Sequence, residues 1–160
     1  MTEPSLIIGP DDLGRADVRA LLATHLAQSR SLTPAGYSFA LDVEELAGHG
    51  IVFVGARRGG VLVGVGALKP LDDRHAELKS MHTLEAFRGR GVGRAIVDHL
   101  LGLAAANGYV RVSLETGTSD EFAAARALYA RCGFRPCPEF GDYRPSPHNT
   151  FMTIILTTPG

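Results

Sequence analysis

The chain has 160 residues, of which 45% are hydrophobic and 21% charged, and its formal net charge is −1. These values predict a single globular domain spanning residues 1–160 and argue against a general affinity for nucleic acid or an anionic membrane surface. No apolar run approaches the roughly 20 residues that a membrane-spanning helix requires. The first residues lack a secretory-signal pattern and the two cysteines make no disulfide framework, so we expect a reduced, cytoplasmic protein.

The N-terminal part of the chain predicts one strand followed by two helices. Ser5–Ile8 is a short apolar stretch, and Asp11 or Asp12 can cap a helix whose apolar residues recur at helical spacing. The polar stretch Ser29–Ser38 contains proline and glycine and is expected to be a loop. Asp42–Ala47 is the candidate for a second, short helix.

A three-stranded meander is predicted next. Ile51–Arg57 and Val61–Leu68 are β-branched runs on either side of an Arg-Gly-Gly turn, which favours a hairpin. Ala76–Leu84 alternates between two sets of side chains, as expected of a third strand.

The C-terminal half predicts two helices and two more strands. Gly91–Asn107 and Glu121–Arg131 carry helical apolar stripes, and Val110–Glu115 and Phe151–Leu156 are apolar enough for strands. The Pro-rich stretch Pro136–Pro147 is a long loop, and such loops are often functional. The resulting order, β-α-α-β-β-β-α-β-α-β, predicts an α/β (α+β) fold with a mixed, mostly antiparallel sheet flanked by helices.

An arginine- and glycine-rich segment, Arg88–Arg94, lies between a predicted strand and a predicted helix. Glycines allow close backbone approach, a helix start presents unpaired N–H groups, and guanidinium groups bind phosphate oxygens, so the segment predicts a diphosphate site. A P-loop would need Gly-Lys-Ser/Thr, and the dinucleotide fingerprint would need a third glycine where Arg94 stands. The predicted ligand-binding residues of this segment are Arg88, Gly89, Arg90, Gly91, Val92, Gly93 and Arg94.

The segment resembles the signature of the GNAT acetyltransferase family, Arg/Gln-x-x-Gly-x-Gly/Ala, which Arg88, Gly91 and Gly93 fill. A second family feature, Leu-Tyr followed by three residues and Gly-Phe, is matched by Leu128–Phe134. The resemblance covers about residues 51–156. It implies a GNAT-like domain that uses acetyl-coenzyme A as co-substrate.

Shorter stretches resemble one bacterial branch of the family. They are Glu77–Met81, Leu114–Gly117 and Phe140–Pro145. Two positions depart from many relatives: Phe122 stands where they carry an asparagine that helps to hold the cofactor, and Glu85 replaces a proline. The first departure removes one expected contact to the pantetheine arm.

Acetyl transfer to an amine requires an acid for the leaving thiolate, a neutral nucleophile and a polarised carbonyl. The resemblance implies that Tyr129 points its hydroxyl at the coenzyme A sulfur and acts as the acid. Glu77 lies eleven residues before Arg88, the spacing at which the histone-acetylating branch of the family places its glutamate base, so the resemblance implies Glu77 as the base. His82 is the rival, and some family members need no dedicated base. Backbone N–H groups of β-strand residues are expected to face the carbonyl oxygen, namely those of Met81, His82 and Thr83.

The acceptor pocket is predicted from residues in or beside loops. Tyr37, Glu115, Tyr143 and Arg144 are the candidates. Arg144 would bind a substrate carboxylate through its forked donors, or else would order the neighbouring turn. The histidines and cysteines show no metal-ligand spacing, and we expect no metal.

The sequence thus predicts an acetyl-coenzyme A-dependent N-acetyltransferase acting on a small amine, which is amino-acid-like if Arg144 binds a carboxylate. The alternatives are an enzyme that acetylates proteins or peptides, and a non-catalytic coenzyme A-binding module. A homodimer is expected by analogy with family members that pair through sheet edges.

Overall fold

A computed structural model describes residues 4–32 and 43–156 of the chain. Seven strands form one sheet, and four helices accompany it. The strands are β1 (Leu6–Pro10), β2 (Val52–Arg58), β3 (Val61–Pro70), β4 (His75–Thr83), β5 (Arg111–Gly117), β6 (Arg135–Pro136) and β7 (Asn149–Ile155). The helices are α1 (Ala16–Leu32), α2 (Val43–Leu46), α3 (Val92–Ala106) and α4 (Ala123–Arg131). Single 3₁₀ turns occupy Glu85–Phe87 and Asp120–Phe122.

The strand order is β1-β2-β3-β4-β5-β7-β6, and every neighbouring pair is antiparallel except β4 and β5, which run parallel. The predicted element order and the mostly antiparallel sheet are therefore confirmed. The two-residue strand β6 was not predicted, because Arg135 and Pro136 carry no alternation that would reveal it.

Two predictions about α1 are wrong. Neither Asp11 nor Asp12 caps the helix, which begins at Ala16: Arg57 holds the Asp11 carboxylate at 2.9 Å, and Asp12 accepts a hydrogen bond from the Gly14 backbone N–H. The helix also continues to Leu32, so the first residues of the predicted loop are helical. The tertiary ion pair of Asp11 overrides its local preference for a cap.

Helix α3 lies very close to the sheet because two glycines of β3 face it. A Cβ atom on Gly64 would lie 2.9 Å from side-chain atoms of Ile96 and Val92, and one on Gly66 would lie 2.7 Å from Ile96. Separations this short are not tolerated. The glycines therefore set the height of α3, and with it the position of the Arg- and Gly-rich segment at its start.

Strand β4 carries a β-bulge at its centre. Val65 pairs with His82 and Ala67 pairs with Lys79, so that Gly66 alone faces Ser80 and Met81. Ser80 has φ of 57°, the left-handed region that favours glycine. The bulge ends the regular alternation predicted for this strand, and it re-aims the residues on either side.

None of the helices within the described ranges is long and apolar enough to cross a membrane.

Candidate active site

A cleft of about 940 Å³ opens where the sheet divides between its two parallel strands. Strands β4 and β5 pair only over His75–Glu77 and Arg111–Ser113. Beyond these residues β4 remains paired with β3, and β5 remains paired with β7. The edge of β4 from Leu78 onwards has no paired strand on the β5 side within the described residues. Its backbone groups on that side are available to a ligand.

The cleft runs from the start of α3 to the polar ends of α1 and β5. Its apolar wall is built by side chains from β4, β5, α3 and α4, including Met81, Val92, Leu114, Ala125 and Leu128. A long cleft with an apolar middle and polar ends suits an extended ligand that is charged at one end.

The loop before α3 forms the first polar end. Gly89 and Gly91 have φ of 76° and 82°, which a residue with a side chain rarely adopts. Gly91 is the N-cap of α3, and no side chain caps the helix, so the N–H groups of its first turn have no side-chain acceptor from the cap position. Unpaired N–H groups and the positive end of the helix dipole make this an anion site.

The arginines of the loop are not equivalent. Arg88 and Arg94 line the cleft, and the Arg88 Nε donates to the carbonyl oxygen of Thr83 at 3.3 Å. Arg90 does not line the cleft, and its guanidinium lies 5.3 Å from the centroid of the Phe87 ring. Arg131, which was not predicted, lines the same cleft from the end of α4. Of these four arginines, Arg88, Arg94 and Arg131 therefore line the cleft and Arg90 does not.

Tyr129 lines the cleft and is 8% exposed. Its ring packs edge-on against Phe134, with centroids 5.9 Å apart. Burial raises the pKa of the Tyr129 hydroxyl well above its ordinary value. The phenol therefore stays protonated at neutral pH, as a proton donor must.

Glu77 is held in a compact hydrogen-bonded network. The Tyr143 hydroxyl donates to Glu77 Oε2 at 2.5 Å, and Lys79 Nζ donates to the Tyr143 oxygen at 2.7 Å. Lys79 Nζ also lies 3.4 Å from Glu77 Oε2, and both side chains are buried. Lys79 was not among the predicted site residues. The network engages Oε2 of Glu77, the predicted base.

The Tyr143 ring is fixed by two other aromatic rings. Its centroid lies 5.2 Å from that of Phe140 and 5.6 Å from that of Phe151. Phe140 belongs to the same Pro-rich loop as Tyr143, whereas Phe151 lies on β7, so the second contact attaches the loop to the sheet. Tyr143, predicted as an acceptor-pocket residue, does line the cleft, and Glu77 and Lys79 position its hydroxyl.

Glu115 lines the same end of the cleft from β5. Its Oε2 atom is buried and has no hydrogen-bond partner among the described residues. Burial raises the pKa of Glu115 to about 7, with a smaller upward contribution from Glu77 and an opposing one from Lys79. A carboxyl group with this pKa exchanges a proton near neutral pH.

His82 lies against a histidine from α1. Its Nδ1 is 3.1 Å from Nδ1 of His25, so one ring donates and the other accepts. Burial, as the largest cause, lowers the pKa of each histidine to about 4, and both are neutral at pH 7. His25 was not singled out from the sequence, because a helical histidine carries no local sign of a partner 57 residues away.

Phe122 lines the cleft at the position where many relatives carry asparagine. Its ring lies where a Cβ atom on Gly117 would stand, so the glycine makes room for it. Arg126 fixes the surrounding turn by donating to the carbonyl oxygens of Gly117 and Ser119 at 2.7 and 2.9 Å. An apolar ring therefore replaces an amide at this point of the wall.

Two residues of the predicted acceptor pocket are not found at the cleft. Arg144 is exposed and does not line it, so its proposed binding of a substrate carboxylate stays a prediction without a supporting contact. The neighbouring Tyr143 turns inward toward Glu77 and leaves Arg144 outside. Tyr37 lies outside the described residues. Within those residues, no group of three or more His, Cys, Asp or Glu side chains could hold a metal ion.

The remaining predicted positions all lie on the cleft. Met81, His82 and Thr83 line it from the unpaired edge of β4, and Gly89, Gly91, Val92 and Gly93 line it from the loop and first turn of α3. One cleft thus combines an uncapped helix start, cleft-lining arginines and a buried phenol.

The chain belongs to the GNAT acetyltransferase family, whose model matches residues 19–134. It is 42% identical over 149 residues to the uncharacterized N-acetyltransferase YedL of Escherichia coli, covering 93% of this chain and 94% of the relative. It is 41% identical over 146 residues to the uncharacterized N-acetyltransferase YsnE of Bacillus subtilis, covering 91% and 97%. The expectation of an acetyltransferase-family enzyme is thereby confirmed.

The fold is similar to that of a GNAT family acetyltransferase from Elizabethkingia anophelis that was solved with acetyl-CoA bound. The TM-score is 0.71 at 19% identity, and the match covers 94% of this chain and 98% of that chain. At this identity the similarity concerns the fold.

Proposed function

We propose that the protein, as a single domain, transfers the acetyl group of acetyl-coenzyme A to the amine of a small molecule by direct attack. The observation that carries the proposal is the arrangement of one cleft. The helix start with Arg88 and Arg94, the Tyr129 phenol and the Glu115 carboxyl group all line this cleft. A related fold holds acetyl-CoA, which supports the same co-substrate here.

The donor is held from its diphosphate to its thioester. The N–H groups of the first turn of α3 and the cleft-lining arginines bind the diphosphate. The apolar wall contacts the pantetheine arm, with Phe122 in place of an amide contact. The unpaired backbone edge of β4 at Met81–Thr83 is available to the thioester carbonyl oxygen, where N–H donors stabilise developing negative charge.

Glu115 is the best-placed base for the acceptor. The carboxylate takes a proton from the acceptor ammonium, and the neutral amine then attacks the thioester carbon. A base with a pKa near 7 suits this task better than His82, which holds a proton poorly at a pKa of about 4. Glu77 positions the side chains of Lys79 and Tyr143 beside Glu115. Tyr129 protonates the sulfur as the carbon–sulfur bond breaks.

The experiment is a thiol-release assay with acetyl-coenzyme A against amines, amino acids and peptides, together with calorimetry of coenzyme A binding. Acetylation of small amines with tight coenzyme A binding is the expected result. Preferential acetylation of peptides would move the proposal to a protein-modifying enzyme. Coenzyme A binding without any thiol release would indicate a binding module, and no coenzyme A binding would overturn both.

A further inference from the structure

The charged side chains around Glu115, which we call the acceptor end of the cleft, favour some amine acceptors over others. Two carboxyl groups, Glu77 and Glu115, are close enough to Lys79 and to each other to influence ionisation there. Among the described residues, Lys79 supplies the positive charge that acts on Glu115, and it is already engaged by Glu77 and Tyr143. Two buried side-chain atoms of described cleft-lining residues have no hydrogen-bond partner, Ser80 Oγ and Glu115 Oε2, and of these only the second belongs to a group that can carry charge.

The other cations of the cleft have different neighbours. Among the described lining residues these are Arg88 and Arg94 at the start of α3 and Arg131 at the end of α4. Arg88 donates to the carbonyl oxygen of Thr83, and Arg94 and Arg131 both act on the thiol of Cys132. The charges that act on Glu115 are instead those of Lys79 and Glu77. Arg144 is exposed away from the cleft, and residues 33–42 contain no lysine or arginine.

A substrate carboxylate at the acceptor end would therefore meet like charge without a forked donor to balance it. An ammonium group, in contrast, would supply the donor that Glu115 Oε2 lacks and would be attracted by its carboxylate. We propose that the acceptor is an amine that arrives as an ammonium ion and carries no carboxylate next to the reacting nitrogen. This inference rests on the proposed function and excludes free α-amino acids as preferred acceptors.

The test compares three acceptors that share one side chain: an amine, the corresponding α-amino amide and the α-amino acid. One such series is tyramine, tyrosinamide and tyrosine, and a second is agmatine, argininamide and arginine. The amide has nearly the size of the acid without its charge, so it separates charge from bulk. We expect kcat/KM for the amine and the amide to exceed that for the acid by about tenfold or more. Equal or better use of the acids would overturn the inference and leave the acetyltransferase function standing.

The variant Glu115→Gln tests the cause. Removing the Glu115 carboxylate should lower the ratio of kcat/KM for the amide to kcat/KM for the acid several-fold, because the carboxylate of the acid is no longer repelled. We expect the rates with all acceptors to fall. An unchanged ratio would show that the charge of Glu115 does not select the acceptor. Glu139→Gln, which removes an exposed carboxylate that does not line the cleft, is the matched control and should leave the ratio unchanged. If no acceptor releases thiol while coenzyme A still binds, the proposed function itself fails.

Discussion

At the scale of single residues, the side chains of Tyr129 and Glu115 divide the proton transfers of the proposed reaction. A phenol is protonated at neutral pH and burial raises the pKa of Tyr129 further, whereas the pKa of Glu115 is shifted to about 7, so this carboxyl group can both accept and release a proton. Their different environments assign the acid and the base.

Tyr129→Phe removes the acid and keeps the ring. We expect kcat to fall by roughly 10²-fold, the lower range for loss of a positioned acid, while the Kd for coenzyme A changes little. Steady-state kinetics and calorimetry measure the two quantities. Full activity of the variant across pH would show that another group protonates the sulfur.

The pKa of Glu115 predicts how kcat/KM for the acceptor depends on pH. Below its pKa of about 7 the carboxyl is protonated and cannot accept the ammonium proton, so kcat/KM for the acceptor should rise as pH increases through 7. In Glu115→Gln that limb should disappear, and only a limb at higher pH, from the free amine, should remain. A limb near pH 7 that persists in the variant would assign it to a different group.

At the scale of elements, the start of α3 and its height above the sheet decide where the donor binds. Gly91 supplies a backbone conformation that favours glycine, and the glycines of β3 allow the helix to approach. Both are backbone effects, and each can be tested on its own.

Arg88→Ala and Gly91→Ala should weaken coenzyme A binding by about tenfold or more, the first through lost charge and the second through strain at φ of 82°. Arg90→Ala is the matched control: its side chain does not line the cleft, and its Kd should stay within about twofold. Calorimetry gives all three values. If Arg90→Ala weakens binding as much as Arg88→Ala, the arginines are not distinguished by position.

Gly66→Ala should lower the free energy of unfolding by about 1–3 kcal/mol, because its Cβ would lie 2.7 Å from Ile96 and from the Met81 sulfur. Gly102→Ala on α3 has open space and is the control, expected to raise it by up to about 1 kcal/mol. Urea denaturation compares the two. Equal effects would mean that α3 can move away without cost.

At the scale of the whole molecule, α1 is joined to the sheet through a pair of neutral histidines. His25 and His82 have pKa values of about 4 when folded, against about 6.5 for an unfolded histidine. The unfolded chain therefore binds more protons between these values, and the free energy of unfolding should fall as pH drops from about 6.5 to 4.

His25→Gln should remove part of this acid destabilisation, up to about 1 kcal/mol per pH unit near pH 5, while stability at pH 7.5 changes less. Urea midpoints measured between pH 4.5 and 7.5 provide the slope. His49→Gln, at an exposed position, is the control for loss of a histidine as such. A slope identical to that of the unaltered protein would mean that His25 does not bury a neutral ring.

The sequence by itself determined the element order, the mostly antiparallel sheet, the loop before α3 and the family. Periodicity, glycines and short motifs are local signals that a linear pattern retains. It also placed Tyr129, Glu77, His82, Glu115 and Tyr143 on the list of candidates.

Only the tertiary structure decided how these residues divide their roles. Glu77 is tied to Lys79 and Tyr143, Glu115 keeps an unpaired oxygen, His82 meets His25, and Arg144 turns outward. These outcomes depend on distances and burial among residues tens of positions apart. Spacing along the chain does not contain them, because charge pairing and desolvation are set by which side chains the fold brings together.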